Sequence, residues 1–164
     1  MNSKFIRKHN RLRGHEYNQV GAYFITLCTN NHLPIFSTIC IDYDFPRLSS
    51  IGILTQIAIT QIAEVYKGVY VDCFAIMPNH VHMTIRITEE ARRPVTAYAA
   101  DGAPSISQIV NQMKGEVTKK ASVPIWCKSF HDRIIRNQNE YDRIWDYIHN
   151  NPKLWEKDRF YVHE

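Results

Sequence analysis

The chain has 164 residues, 45% hydrophobic and 22% charged, which fits a single domain over residues 1–164 with a real core. No apolar run approaches a membrane span, and the first twenty residues lack the apolar stretch of a signal peptide, so no membrane partner and cytoplasmic residence are expected. Net charge is +4, and Cys28, Cys40, Cys73 and Cys127 form no Cys-x-x-Cys pair, which argues against a disulfide frame or a cysteine zinc site.

Residues 1–20 read as a basic arm. Arg7, Lys8, Arg11 and Arg13 crowd it, with His9 and His15 beside them. Clustered cations point to a polyanion, and nucleic acid is the usual one. Residues 22–29, AYFITLCT, are aromatic and β-branched and predict a strand. A turn follows, then a short edge strand over 35–41. Ser49 or Ser50 opens a helix running to about Lys67, with Ile51, Leu54, Ala58, Ile62 and Val65 at helical spacing and Gly68 as its C-cap.

Residues 69–76, VYVDCFAI, predict a second long strand. Met77-Pro78-Asn79 reads as a tight turn, since Pro fixes φ and Asn tolerates a left-handed conformation. The returning strand carries His80 and His82. Side chains alternate along a strand, so His80, His82, Thr84 and Arg86 share one face, and Val81, Met83, Ile85 and Ile87 share the other. Two imidazoles about 7 Å apart on one strand face can converge on a divalent cation. A His-x-His pair is also common by chance, and a hydrogen-bonded pair on a half-buried strand fits the same spacing.

Residues 88–104 read as a loop. Ser105-x-x-Gln108 is a capping box for a helix with Ile106, Ile109, Val110, Met113 and Val117 as its apolar stripe and Lys114, Lys119 and Lys120 off it. Residues 125–135 predict a last strand, broken near Ser129, that ends close to Arg133 and Arg136. Residues 139–150 predict a final helix, stopped by Pro152. Its apolar stripe is Tyr141, Ile144, Trp145 and Ile148. Tyr147 lies off that stripe, with Asn151 one turn below it. A phenol and a carboxamide on one side of a helix can address one metal-bound phosphate; a helix-edge tyrosine and a C-terminal cap fit equally well.

The order β-α-β-β-α-β with an appended helix predicts an α+β fold. It is a ferredoxin-like split βαβ sandwich, with helices on one face of an antiparallel sheet and both histidines on the open face. The fold sets geometry rather than activity.

Three segments, RLRGHEYNQVGAYFITLCT, FAIMPNHVHMTI and SFHDRIIRNQNEYDRIWDYIHNNP, together resemble the HUH single-tyrosine transposases, most closely the REP-associated tyrosine transposase branch. The pairing of Pro-Asn-His-Val-His with a distal Tyr-Ile-x-Asn-Asn-Pro carries the resemblance. It implies metal-dependent nicking and rejoining of single-stranded DNA at imperfect palindromes that fold into hairpins. Tyr147 matches the catalytic tyrosine on a C-terminal catalytic helix, and His80 and His82 match metal ligands. Asn151 falls where the insertion-sequence branch has a glutamine ligand; its oxygen suits Mg²⁺ or Mn²⁺. Arg7, Lys8, Arg11, Arg13, Lys114, Lys119, Lys120, Arg133 and Arg136 are the candidate DNA contacts, with Tyr17 or Trp126 as base-stacking residues. Family members differ on whether the tyrosine serves its own subunit or a homodimer partner. Two rival readings keep the same fold: an inactive DNA-binding relative, and a metal-dependent nuclease that uses water.

Overall fold

A computed structural model describes residues 19–40, 46–92 and 103–161. The basic arm with Arg7, Lys8, Arg11, Arg13 and Tyr17, and most of the loop at 88–104, lie outside the described residues. Four strands make the main sheet: β1 (Gly21–Cys28), β4 (Val69–Ile76), β5 (His80–Ile87) and β6 (His131–Ile135). Their spatial order is β4-β5-β1-β6, antiparallel throughout. That is the split βαβ order, with the two long crossover helices α1 (Ser50–Thr60) and α3 (Ile106–Ala121) on one face.

Alternation along the strands builds the main core. Tyr23, Ile25 and Leu27 of β1 and Val81, Met83, Ile85 and Ile87 of β5 point to the helices and are essentially inaccessible. They meet Ala58 and Ile59 of α1 and Ile106, Ile109, Val110, Met113 and Val117 of α3. The capping box forms as expected: Ser105 Oγ accepts from Gln108 N, and the Gln108 side chain accepts from Ser105 N. Ser49 caps α1 by accepting from Gly52 N.

Several expected elements are shorter. The edge strand at 35–41 reduces to β2 (Ser37–Thr38), which pairs with β3 (Arg47–Leu48) in a separate two-stranded ribbon. The first helix does not run unbroken to Lys67: it ends at Thr60, and a four-residue turn of helix, α2 (Ile62–Val65), follows Gln61. Gly68 sits beyond it at φ 78°, in the turn into β4. A Cβ there would lie 2.4 Å from Ala91 N, so the close approach of two backbones requires glycine. Within 125–135 only His131–Ile135 is strand; Trp126 makes a lone bridge to Thr29.

The second face of the sheet is not open. Helix α4 (Gln138–Asn150) lies across it, burying Ile144 and Ile148 against Ala75, Met77 and Ile135. Trp145, expected in that stripe, is 41% exposed and stacks on His149 instead. A bulge at Asp72 in β4 helps to dock the helix. The Asp72 carboxylate accepts two hydrogen bonds from Arg86 and one from the Tyr141 hydroxyl at 3.0 Å. The chain then turns through a short 3₁₀ segment (Pro152–Lys157), and the tail returns over the end of β5. Among the described residues, no helix is long and apolar enough to cross a membrane.

Candidate metal and tyrosine site

The site begins at the turn 77–79. The segment after β1 grips it through the backbone: Thr29 N donates to Asn79 O at 2.9 Å and Phe36 N to Pro78 O at 3.0 Å. Asn79 does not adopt the left-handed conformation read from the sequence, since its φ is not positive. Its side chain is what the turn uses. Asn79 Nδ2 donates to Phe160 O at 2.8 Å, and Asn79 Oδ1 lies 2.9 Å from His80 Nδ1. A carbonyl oxygen only accepts, so the amide NH₂ faces Phe160 and the amide oxygen faces the ring. His80 Nδ1 therefore carries the proton, and its Nε2 carries the lone pair. That is how an outer partner aims an imidazole at a metal.

Two residues on, β5 presents His82 to the same side. Its Nδ1 lies 2.9 Å from Thr26 Oγ1 on the paired strand, and Phe24 stacks on its ring at 5.2 Å. The two imidazole centroids are 4.5 Å apart. Both rings are buried, at 0% and 2% exposure. Burial makes a charged imidazole costly. It lowers the His80 pKa from 6.5 to about 4, partly offset by the carboxylate of Asp158. Burial, then His80 and Arg159, holds His82 well below its ordinary value. Two neutral imidazoles side by side suit metal binding, which needs the unprotonated ring.

Helix α4 brings Tyr147 to the rings from the opposite side. Asn137 caps the helix by accepting from Glu140 N. With Ile144 and Ile148 against the sheet, Tyr147 falls on the flank, 42% exposed. Its hydroxyl lies 3.2 Å from His82 Nε2 and 3.3 Å from Asp158 Oδ2. Burial, then the Asp158 carboxylate, pushes its pKa up to about 12, against the pull of Arg159. The other tyrosine of the helix is committed elsewhere: the Tyr141 hydroxyl donates to Asp72.

Asp158 was not singled out from the sequence. It sits in an aromatic tail with no periodicity to mark it, far from both histidines along the chain. The tail folds back so that Phe160 covers His80 at 4.7 Å and Trp155 at 5.9 Å. Asp158 then joins His80 and His82, with one donor atom from each within 4.8 Å of the others. These three residues can hold a metal ion. Asn151, the expected third ligand, is also here and 2% exposed. It is the C-cap of α4, and its Nδ2 donates to Asp158 Oδ2 at 2.6 Å. Its Oδ1 and His80 Nε2 are buried with no hydrogen-bond partner. Two stranded lone pairs beside a carboxylate would be costly in a site meant to stay empty of cations, and they fit a hard cation with mixed N and O ligands.

The expected DNA contacts divide. Arg133 lines the hollow beside Tyr147, and Arg136 lines a second hollow at the start of α4. Lys114, Lys119 and Lys120 ride on α3, across the sheet from the histidines. Lys114 donates to Cys127 O, and Lys120 pairs with Glu116. Trp126 does not offer a free stacking face: it packs on Phe36, and its indole N–H donates to Lys114 O.

Known proteins resemble this chain in sequence and in fold. No family model matches the chain. An uncharacterised protein of Haemophilus influenzae is 32% identical over 170 residues, covering 95% of this chain and 93% of its own length. The chain belongs to one family with that protein. Among solved structures, a REP-associated tyrosine transposase bound to a REP hairpin is similar at a TM-score of 0.61 and 19% identity, over 85% of this chain and 70% of that one. The fold is therefore that of the HUH tyrosine transposases, as the sequence motifs implied.

Proposed function

We propose that this protein nicks and rejoins single-stranded DNA at hairpin-forming sites through a covalent bond to Tyr147. The observation that carries the reading is the meeting of the Tyr147 hydroxyl with His82 at 3.2 Å, beside the His80–His82–Asp158 cluster. The neighbouring structure supports the substrate class, since that transposase is bound to a REP hairpin.

His80, His82 and Asp158 would hold Mg²⁺ or Mn²⁺, with Asn151 Oδ1 beside them. Bound there, the ion would supply positive charge to a phosphate oxygen and to the tyrosine oxygen. The protein's own groups do the rest. Phe24 stacks on His82 and meets Tyr147 edge-on at 6.1 Å, which fixes both rings. The Tyr147 oxygen attacks phosphorus, the bond from phosphorus to the 3′ oxygen breaks, and that oxygen leaves as a hydroxyl. With His82 Nε2 turned to the ion, the phenolic proton has Asp158 Oδ2 in reach at 3.3 Å, since a carboxylate oxygen keeps a second lone pair. A phenol with a pKa of about 12 is almost wholly protonated at neutral pH, so reaction depends on cationic help at this oxygen. The phosphotyrosine conserves the bond energy, and an incoming 3′-hydroxyl reverses the step. Arg133, Arg136 and the basic arm would hold backbone phosphates and make binding salt-sensitive.

The test is incubation of a 3′-labelled hairpin oligonucleotide carrying single-stranded flanks with protein and Mn²⁺. A labelled covalent adduct is expected, lost in Tyr147→Phe while hairpin binding persists. Free 5′-phosphate ends without an adduct would instead mark a nuclease that uses water. Binding with neither product would mark an inactive DNA-binding relative.

A further inference from the structure

We propose that Arg159 is a catalytic residue that grips the phosphate under attack, and this rests on the reading of Tyr147 as nucleophile. A hollow of about 260 Å³ opens beside Tyr147 and His82, with Arg133 and Arg159 among its walls. The arginines near this face differ in what they already do. Arg86 is forked onto Asp72, and Arg133 is paired with Glu140. Arg159 makes no hydrogen bond or ion pair with any described residue. Its guanidinium lies 4.3 Å over the Phe160 ring. A cation held flat on an aromatic face keeps its N–H edge free for an anion.

That placement is tied to the histidines. Phe160 stacks on His80, and its carbonyl is held by Asn79, the residue that orients His80. One turn thus fixes both the metal-facing imidazole and the platform under Arg159. The guanidinium is close enough to perturb His80, His82 and the Tyr147 oxygen electrostatically. Asp132 also lines the hollow, and Asp158 precedes Arg159 in the chain. Among the described residues the arginines of this hollow are therefore balanced by carboxylates, so beside any bound ion the hollow offers a phosphate a localised donor and not a broad positive field. A localised planar donor can hold it, because bidentate guanidinium–phosphate contacts are short and directional. In the step itself the Tyr147 O–P bond forms and the P–O3′ bond breaks. Arg159 exchanges no proton and stabilises charge on the non-bridging oxygens.

A guanidinium can also read a guanine edge, so the test separates phosphate from base. Single-turnover cleavage of the hairpin substrate is measured for wild type, Arg159→Ala and Arg159→Lys. One substrate carries a normal scissile phosphodiester, and a second carries a methylphosphonate there. Loss of one donor to transition-state charge predicts a drop of about 10²–10³-fold in Arg159→Ala on the phosphodiester, with partial recovery in Arg159→Lys. On the neutral linkage the variants and wild type should agree. Wild-type rate in Arg159→Ala overturns the proposal. So does an equal loss on both linkages, or a loss confined to guanine flanks. A second arm needs no cleavage: in Tyr147→Phe protein, the Arg159 Nε–H NMR resonance, assigned by its absence in Arg159→Lys, should move on adding a short single strand spanning the site. No movement overturns the phosphate contact, whereas movement without any wild-type adduct overturns only the nucleophile.

Discussion

Removing the Asn79 side chain should damage two properties at once. Asn79 is 1% exposed and bonds both His80 Nδ1 and Phe160 O. Asn79→Ala strands an N–H on a fully buried ring, which costs about 1–3 kcal/mol. Phe160 is only half-buried, so water can reach its carbonyl and the second loss is smaller. A total near 2 kcal/mol should lower the melting temperature by about 4–8 °C for a chain of this size. The larger effect concerns metal. With no acceptor at Nδ1, the tautomer that aims the Nε2 lone pair at the site is no longer enforced, and such outer partners are worth about 10–100-fold in affinity. Mn²⁺ titration by calorimetry on wild type and variant measures this directly. Thr60→Ala, which removes an exposed hydroxyl bonded only within its own helix, is the control. If Asn79→Ala binds Mn²⁺ as wild type does, the account of His80 orientation fails, whatever happens to the melting temperature.

Three more outcomes follow from the same geometry. The unfolded chain takes up the His80 proton near pH 6.5, and the folded one not until about pH 4. Stability should therefore be full above about pH 7 and fall as pH drops from 6.5 toward 4, by about 3 kcal/mol from this residue. Urea midpoints should show that fall and show less of it in His80→Gln; parallel pH profiles would contradict it. Asp158→Asn keeps the shape but not the charge, so Mn²⁺ affinity should fall by more than the roughly 10–100-fold typical of an outer partner; unchanged affinity would remove Asp158 from the site. Gly68→Ala should lose at least about 1–2 kcal/mol from its positive φ alone, read as a lower urea midpoint, with more lost to the collision with Ala91.

Local rules made much of the architecture legible. Period-two alternation separated Val81, Met83, Ile85 and Ile87 from His80 and His82, and the apolar set does pack on the helix side of the sheet. The Ser105–Gln108 box and the flank position of Tyr147 were equally local. What was hidden depends on chain return. Nothing local shows that residues after Pro152 fold back over β5, so the histidine face was expected to be open and Asp158 was missed. Trp145 matched the helical stripe by angle, yet the crossing of α4 over the sheet leaves it exposed, since packing geometry decides which edge of a stripe is used. Asn79 was assigned a backbone role because a turn suits asparagine; its carboxamide serves the ring beside it.

The measurement closest to the central claim is the site of covalent attachment. Protein is reacted with the hairpin substrate and Mn²⁺, digested with trypsin and nuclease, and mapped by mass spectrometry. A nucleotide phosphate is expected on the peptide containing Tyr147 and on no other. Attachment at Tyr141, whose hydroxyl is bound to Asp72 on another part of the sheet, would contradict the claim.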